Sequence, residues 1–191
     1  MKLISRLLIA FVFVTALATA VSAQKPVALT DIWVNYVFYP KSIYDIQNYP
    51  IGQSYTVLED NNINLYNYKT GKMDKTIIGL DNPKLKEISD IDEYSFNGDA
   101  TLLIIGANTE AIYRHSVKGD YYVYNFKTES LTKIPGDGNV RLPDFSPDGN
   151  KVAYVRDNNM YVYDMTSGKE TAISSDGEWN KIIYGTMDWV Y

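Results

Sequence analysis

The hydrophobic pattern changes character once along the chain. From Leu7 to Ala20 apolar and small residues run without a break, behind Lys2 and Arg6 and ahead of Val21-Ser22-Ala23. A run of about 14 residues is too short to span a bilayer, which needs roughly 20. A short basic start, an apolar stretch and small side chains at its end are what a signal peptidase reads. Residues 1–23 are therefore predicted to be a secretory signal peptide, cleaved after about Ala23. Beyond it the apolar residues alternate with polar ones, the period of β-strands. Three segments share this alternation and then enter a polar turn. They are Leu65-Tyr66-Asn67-Tyr68-Lys69-Thr70-Gly71, Tyr121-Tyr122-Val123-Tyr124-Asn125-Phe126-Lys127-Thr128-Glu129 and Met160-Tyr161-Val162-Tyr163-Asp164-Met165-Thr166-Ser167-Gly168.

A second motif precedes two of these strands. Phe96-Asn97-Gly98-Asp99-Ala100-Thr101 leads into Leu102-Leu103-Ile104-Ile105, and Phe145-Ser146-Pro147-Asp148-Gly149-Asn150 leads into Lys151-Val152-Ala153-Tyr154-Val155. In each, an aromatic residue is followed by a tight turn and a buried strand. Pro147 presets the turn and Gly149 tolerates a positive φ. A period of roughly 40 to 50 residues with several short strands per period is the pattern of propeller blades. The predicted fold is all-β: a partial β-propeller of about three four-stranded blades, over about 30–80, 88–135 and 139–176. Residues 179–191 read as the opening strand of a fourth. Residues 31–39 fit either an entry helix or a strand. An ordinary β-sandwich with similar turns is the alternative. Three blades do not close a ring, so the last one is expected to expose an apolar face and open strand edges. Residues 24–191 are thus expected to be an incomplete propeller domain.

Composition narrows the chemistry. Tyrosines number 17 against 6 Phe and 3 Trp, which suits strands and half-buried faces where a ring packs and its hydroxyl finds a partner. With no cysteine there is no disulfide framework, no thiolate zinc site and no lipoprotein acylation site. The single histidine, His115, rules out any site of paired imidazoles. The formal charge of −5 deepens to −7 when Lys2 and Arg6 leave with the leader, and no basic cluster offsets it. Nucleic acid is not expected as a partner. Export without cysteine suits a bacterial periplasm.

Several local groups read as structure. Asp60-Asn61-Asn62 and Asp157-Asn158-Asn159 lack the glycine and terminal glutamate of a calcium loop and are expected to be turns. Asp90, Asp92 and Glu93 are expected to be a solvated acidic loop. Trp179 and Trp189 are expected to pack. No Gly-x-Ser-x-Gly nucleophile elbow occurs in the sequence. No metal or other cofactor is expected, and no residue is assigned a catalytic role.

Tyr113-Arg114-His115-Ser116, followed by Tyr121-Tyr122-Val123-Tyr124, resembles the second propeller blade of the dipeptidyl peptidase IV family. Phe145 to Asn159 resembles the next blade. Asp188-Trp189-Val190-Tyr191 resembles the segment leading into the family's paired-glutamate anchor, and Thr30-Asp31-Ile32 and Tyr55-Thr56-Val57-Leu58 resemble its first blade more loosely. The resemblance implies an eight-bladed propeller joined to an α/β-hydrolase domain that carries a Ser-Asp-His triad and releases N-terminal dipeptides after Pro or Ala. It implies that the glutamate pair would follow Tyr191, that members are usually homodimers, and that Arg114 binds the substrate backbone carbonyl and steadies those glutamates. A guanidinium can serve a carboxylate and a carbonyl together. Packing over aromatic residues, or pairing with Glu110, is the structural alternative for Arg114; His115 reads as a hydrogen-bonded structural histidine. The peptide N-terminus, the remaining blades and the hydrolase domain are the implied partners. On this reading the 191 residues alone lack the catalytic machinery. A non-catalytic periplasmic propeller that assembles with a partner stays open as an alternative. So, more weakly, does an acyl-peptide hydrolase or oligopeptidase.

Overall fold

The structure is a computed structural model that describes residues 26–40, 46–113 and 116–186. The predicted leader, residues 1–23, lies outside the described residues. The chain divides into two compact units, 1–42 and 43–191. In the first, a short helix, α1 (Leu29–Trp33), takes in the start of the 31–39 segment left open between helix and strand, and the rest of that segment forms turns. Asp31 supports its start by accepting from the Ala28 N–H at 3.1 Å.

The second unit contains three four-stranded antiparallel sheets, each with its strands in sequence order. The first comprises β1 (Gln47–Asn48), β2 (Ser54–Glu59), β3 (Asn62–Asn67) and β4 (Met73–Gly79). The second comprises β5 (Glu93–Phe96), β6 (Leu102–Tyr113), β7 (Ser116–Asn125) and β8 (Ser130–Lys133). The third comprises β9 (Arg141–Phe145), β10 (Lys151–Arg156), β11 (Asn159–Asp164) and β12 (Lys169–Ala172). These are the expected propeller blades.

The repeated aromatic segments are the third strand of each blade, and one device ends all three. Asn67 Oδ1 accepts from the N–H groups of Lys69 and Thr70 at 2.9 and 3.2 Å. Asn125 does the same for Lys127 and Thr128, and Asp164 for Thr166 and Ser167. A side chain that mimics the backbone of a turn explains why Asn or Asp stands there. Gly71 and Gly168 leave the first and third turns with φ of 63° and 67°, and Glu129 does so in the second at 51°. Gly149 has the positive φ expected of it, 71°, and Ala100 takes its place in the second blade at 53°. Both Asx-Asn sequences are hairpin turns, with Asp60, Asn61, Asp157 and Asn158 all at positive φ.

The blades stack through the alternation of the middle sheet. Leu103, Ile105, Ala107, Tyr122 and Tyr124 share one core with Ile63 and Ile78 of the first blade. Ile104, Tyr121 and Val123 share another with Val152, Tyr154 and Tyr163 of the third. Leu103 faces Tyr124 in register, and Ile104 faces Val123, so a one-residue slip would exchange the two cores. Polar ties, buried or half-buried, support the blades and the links between them. Tyr94 Oη donates to Thr56 Oγ1 at 2.9 Å, and the Asn61 side chain accepts from the Ile91 N–H at 2.7 Å. Arg156 donates twice to the Glu170 carboxylate, both at 2.8 Å, and to the Pro135 carbonyl at 3.1 Å. Its guanidinium lies 4.2 Å from the Tyr161 ring centroid.

Residues 179–186 are not the opening strand of a fourth sheet. They carry only an isolated bridge between Glu178 and Ile182. The Tyr184 N–H is taken by the Asn158 carbonyl at 3.0 Å, and Gly185 fits against Val155 and Met160. This tail is therefore folded back on the third blade. Residues 187–191 lie outside the described residues. Trp179 is 52% exposed, contrary to its expected packing role, because the tail turns at this point without covering it.

Leu103 is completely buried between two blades, whereas Ile51 is half exposed on a turn. Leu103→Ala should cost about 2–5 kcal/mol, and Ile51→Ala should stay within about 0.5 kcal/mol. Urea denaturation of the two variants checks the difference.

Candidate functional site

Arg114 and His115 lie outside the described residues, so the proposed arginine and its alternatives are not placed. What the structure describes is the hairpin that leads to them. β6 spans 12 residues and β7 spans 10, whereas the other named strands span 2 to 7. The pair reaches Tyr113 and Ser116, which face each other after a second register shift at Ile112, between the Ala111–Val117 and Tyr113–Ser116 pairs. The additional length forms an arm beyond the body of the blade. Glu110, which sequence reasoning offered as a partner for Arg114, forms an ion pair with Lys118 across the arm at 3.1 Å.

A β-bulge sits at the base of the arm. Ala107 pairs with Asp120 and Glu110 with Lys118, so Asn108 and Thr109 together oppose Gly119. Asn108 takes a φ of 52°, the left-handed conformation that Asn tolerates better than most residues. Such a bulge bends its strand and increases the local twist. A Cβ on Gly119 would lie 3.0 Å from the Ala107 carbonyl oxygen and 3.0 Å from Thr109 Cγ2. Glycine is therefore the residue that lets the strands close over the bulge.

Acidic residues fasten this base: Asp90 and Asp92 are exposed loop residues, as expected of a solvated acidic loop, whereas Glu93 is half-buried at the start of β5, and all three accept hydrogen bonds. Asp92 accepts from the Thr109 N–H at 2.8 Å, inside the bulge. Asp90 accepts from the Asn61 side chain at 3.1 Å. Glu93 accepts from the Tyr121 hydroxyl. Burial, followed by the Glu93 hydrogen bond and the Glu93 and Asp92 charges, pushes the Tyr121 phenol far above its ordinary value, so it remains a neutral donor. A Cβ on Gly106 would press on both Glu93 and the Tyr121 ring, so this glycine makes room for the pair. Arg141 lies close enough to oppose part of that shift. Its buried Nε has no hydrogen-bond partner among the described residues.

Asp120, on β7, joins β6, β8 and the loop before β9. It pairs with Lys133 of β8 at 2.8 Å and accepts from the Asn108 side chain at 3.3 Å and from the Gly138 N–H at 3.1 Å. Burial raises its pKa, but Lys133, Asn108 and Gly138 together outweigh this and hold the carboxyl below its ordinary value. Gly119 and Val140 exchange backbone hydrogen bonds at 3.0 and 3.3 Å, tying the arm base to the approach to the third blade. The bulge had no local signature in the sequence. Its available signals were a glycine at 119 opposite Asn108-Thr109 and the acids at 92 and 120.

Comparison with known proteins agrees with this architecture. A family described as the dipeptidyl peptidase IV (DPP IV) N-terminal region matches residues 97–191. The crystal structure of Porphyromonas gingivalis dipeptidyl peptidase 4 superimposes with a TM-score of 0.78 at 30% identity, covering 87% of this chain and 24% of that one. The chain is dipeptidyl peptidase IV-like, corresponding to the N-terminal propeller portion. Dipeptidyl peptidase 4 of Felis catus is 30% identical over 180 residues, 90% of this chain and 22% of the relative. Prolyl endopeptidase FAP of Homo sapiens is 30% identical over 174 residues, 89% of this chain and 22% of the relative. This dipeptidyl peptidase IV-like chain thus spans about a fifth of the length of these relatives.

The Asp120 carboxylate contributes stability that is fully present above its unfolded pKa. That contribution is lost as pH falls through the lower folded value. An NMR titration of the Asp120 carboxyl carbon should have its midpoint below the ordinary value of about 3.9. Lys133→Met should move the midpoint upward.

Proposed function

We propose that the chain is the N-terminal propeller part of an exported serine-type dipeptidyl peptidase. In this role it recognises the peptide N-terminus and helps gate access, while the nucleophile comes from elsewhere in the protein. The observation that carries the reading is the long β6–β7 arm, whose sequence between Tyr113 and Ser116 is Arg114-His115, in a chain with dipeptidyl peptidase relatives. Arg114 is the substrate-binding residue. Its guanidinium donates to the carbonyl of the bound peptide and steadies the anionic groups that hold the peptide ammonium. The released products are dipeptides ending in Pro or Ala. The further blades and an α/β-hydrolase domain complete the site, and two copies assemble as a homodimer.

The test uses protein expressed from the complete reading frame containing these residues. It should hydrolyse a Gly-Pro chromogenic dipeptide. Loss of hydrogen bonds to a charged group costs about 1.5–3 kcal/mol, so Arg114→Ala should lower kcat/KM by roughly 10- to 150-fold with an unchanged melting temperature. No hydrolysis by the wild-type protein, or unaltered kinetics in the variant, would remove this function or this residue respectively.

Export to the periplasm rests on the leader sequence. Protein recovered from the periplasm should begin at Gln24 on N-terminal sequencing, whereas a retained Met1 would contradict it.

A further inference from the structure

The arm could have continued straight out of the blade, but its base carries the two-against-one irregularity described above. Asn108 is held at a positive φ, and a Cβ at position 119 would crowd the Ala107 carbonyl oxygen at 3.0 Å. Bulges re-aim the strand that follows them. This one is gripped from two directions. On one side, Asp92 takes the Thr109 N–H, which the irregular ladder leaves over. On the other, Asp120 holds the Asn108 side chain and is itself anchored by Lys133 and the Gly138 N–H. Asp92 immediately precedes β5, Lys133 ends β8, and Gly138 lies beyond the sheet. The grip therefore ties the bulge to both outer strands of the blade and to the link with the next one.

Resting on the function proposed above, we infer that this clamped bulge sets the direction of the substrate-recognition arm, and that Asp92 and Asp120 are positioning residues for peptide binding. Neither needs to touch the peptide. They hold Glu110–Tyr113 and Ser116–Lys118, the strand ends that flank Arg114-His115 in the sequence, in their orientation. The clamp contains two carboxylates and one ammonium, so it is strongest where Asp120 is ionised and Lys133 is protonated.

Three replacements, one of them conservative, separate this role from general support of the fold. Asp92→Ala removes the acceptor of the Thr109 N–H. Asp92→Asn keeps an acceptor oxygen at the same place. Gly119→Ala disturbs the bulge by a different route, through the Ala107 backbone. Because the chain has no cysteine, spin labels can be placed at Ala111→Cys on the arm and Thr128→Cys on the blade, both exposed positions. The distance between them is then read by pulsed electron resonance in protein from the complete reading frame. Asp92→Ala and Gly119→Ala should broaden or displace the distance distribution. Misplacement of a binding group can cost up to about 100-fold; here each variant should raise KM for a Gly-Pro chromogenic dipeptide about tenfold, with kcat within about twofold, as expected for lost ground-state binding. Asp92→Asn should restore both the distribution and KM.

An unchanged distribution in Asp92→Ala would overturn the inference, whatever KM does. A broadened distribution with unchanged KM would overturn it as well, because the arm's direction would then not matter for binding. If the wild-type protein hydrolyses no dipeptide, the proposed function fails. The distance distributions would still decide whether the carboxylates clamp the arm.

Discussion

The structure depends on one alternation. In β6 and β7 successive side chains point to opposite faces of the middle sheet, and both faces are buried. Leu103, Ile105, Tyr122 and Tyr124 go to the core shared with the first blade, and Ile104, Tyr121 and Val123 to the core shared with the third. A strand buried on both faces has no tolerance for slippage, since every side chain would arrive in the wrong core. The register of the middle blade is thereby fixed from Leu102 to Ala107, where the ladder runs without interruption. It is also the blade whose two central strands continue into the arm. Rigidity at the base of a binding element is what allows it to present a side chain at low entropic cost.

The alternation ends where the arm begins. Beyond Ala107, which pairs with Asp120, the ladder is interrupted by the bulge, and the residues around it are held by charge. Burial secures the sheet; carboxylates secure the arm. These forces respond differently to conditions. Core packing is indifferent to acid, whereas the Asp120 contacts weaken once its carboxyl is protonated. The arm base and the blade can therefore be separated experimentally, although they are one continuous pair of strands.

Much of this was legible in the sequence because it is local or periodic. The aromatic strands, the Asx turns at Asn67, Asn125 and Asp164, and the turn around Pro147 and Gly149 each depend on neighbours within a few residues. A stack of four-stranded sheets followed from their recurrence. The bulge was not legible, because the register between β6 and β7 is a relation between residues about ten positions apart, and only Gly119 and the acids at 92 and 120 hint at it. Nor were the duties of Asp92, Glu93 and Asp120. An acidic run looks solvated until the strands opposite supply donors from Thr109, Tyr121 and Asn108. The fourth strand expected over residues 179–191 failed over its described part, 179–186, for a similar reason. Hydrogen bonds to the Asn158 and Asn159 turn hold this tail against the third blade, and those partners are distant in sequence.

The most direct measurement is native-state hydrogen exchange followed amide by amide. The slowest exchange should fall on Ile104, Ile105, Tyr122 and Val123 of the doubly buried sheet. The Thr109 and Gly119 amides at the arm base, held by Asp92 and by Val140, should be protected for a large part of that time. The opposite pattern would contradict it: amides of β1 or β12 outlasting those of β6 and β7, or Thr109 and Gly119 exchanging as freely as in an unfolded peptide.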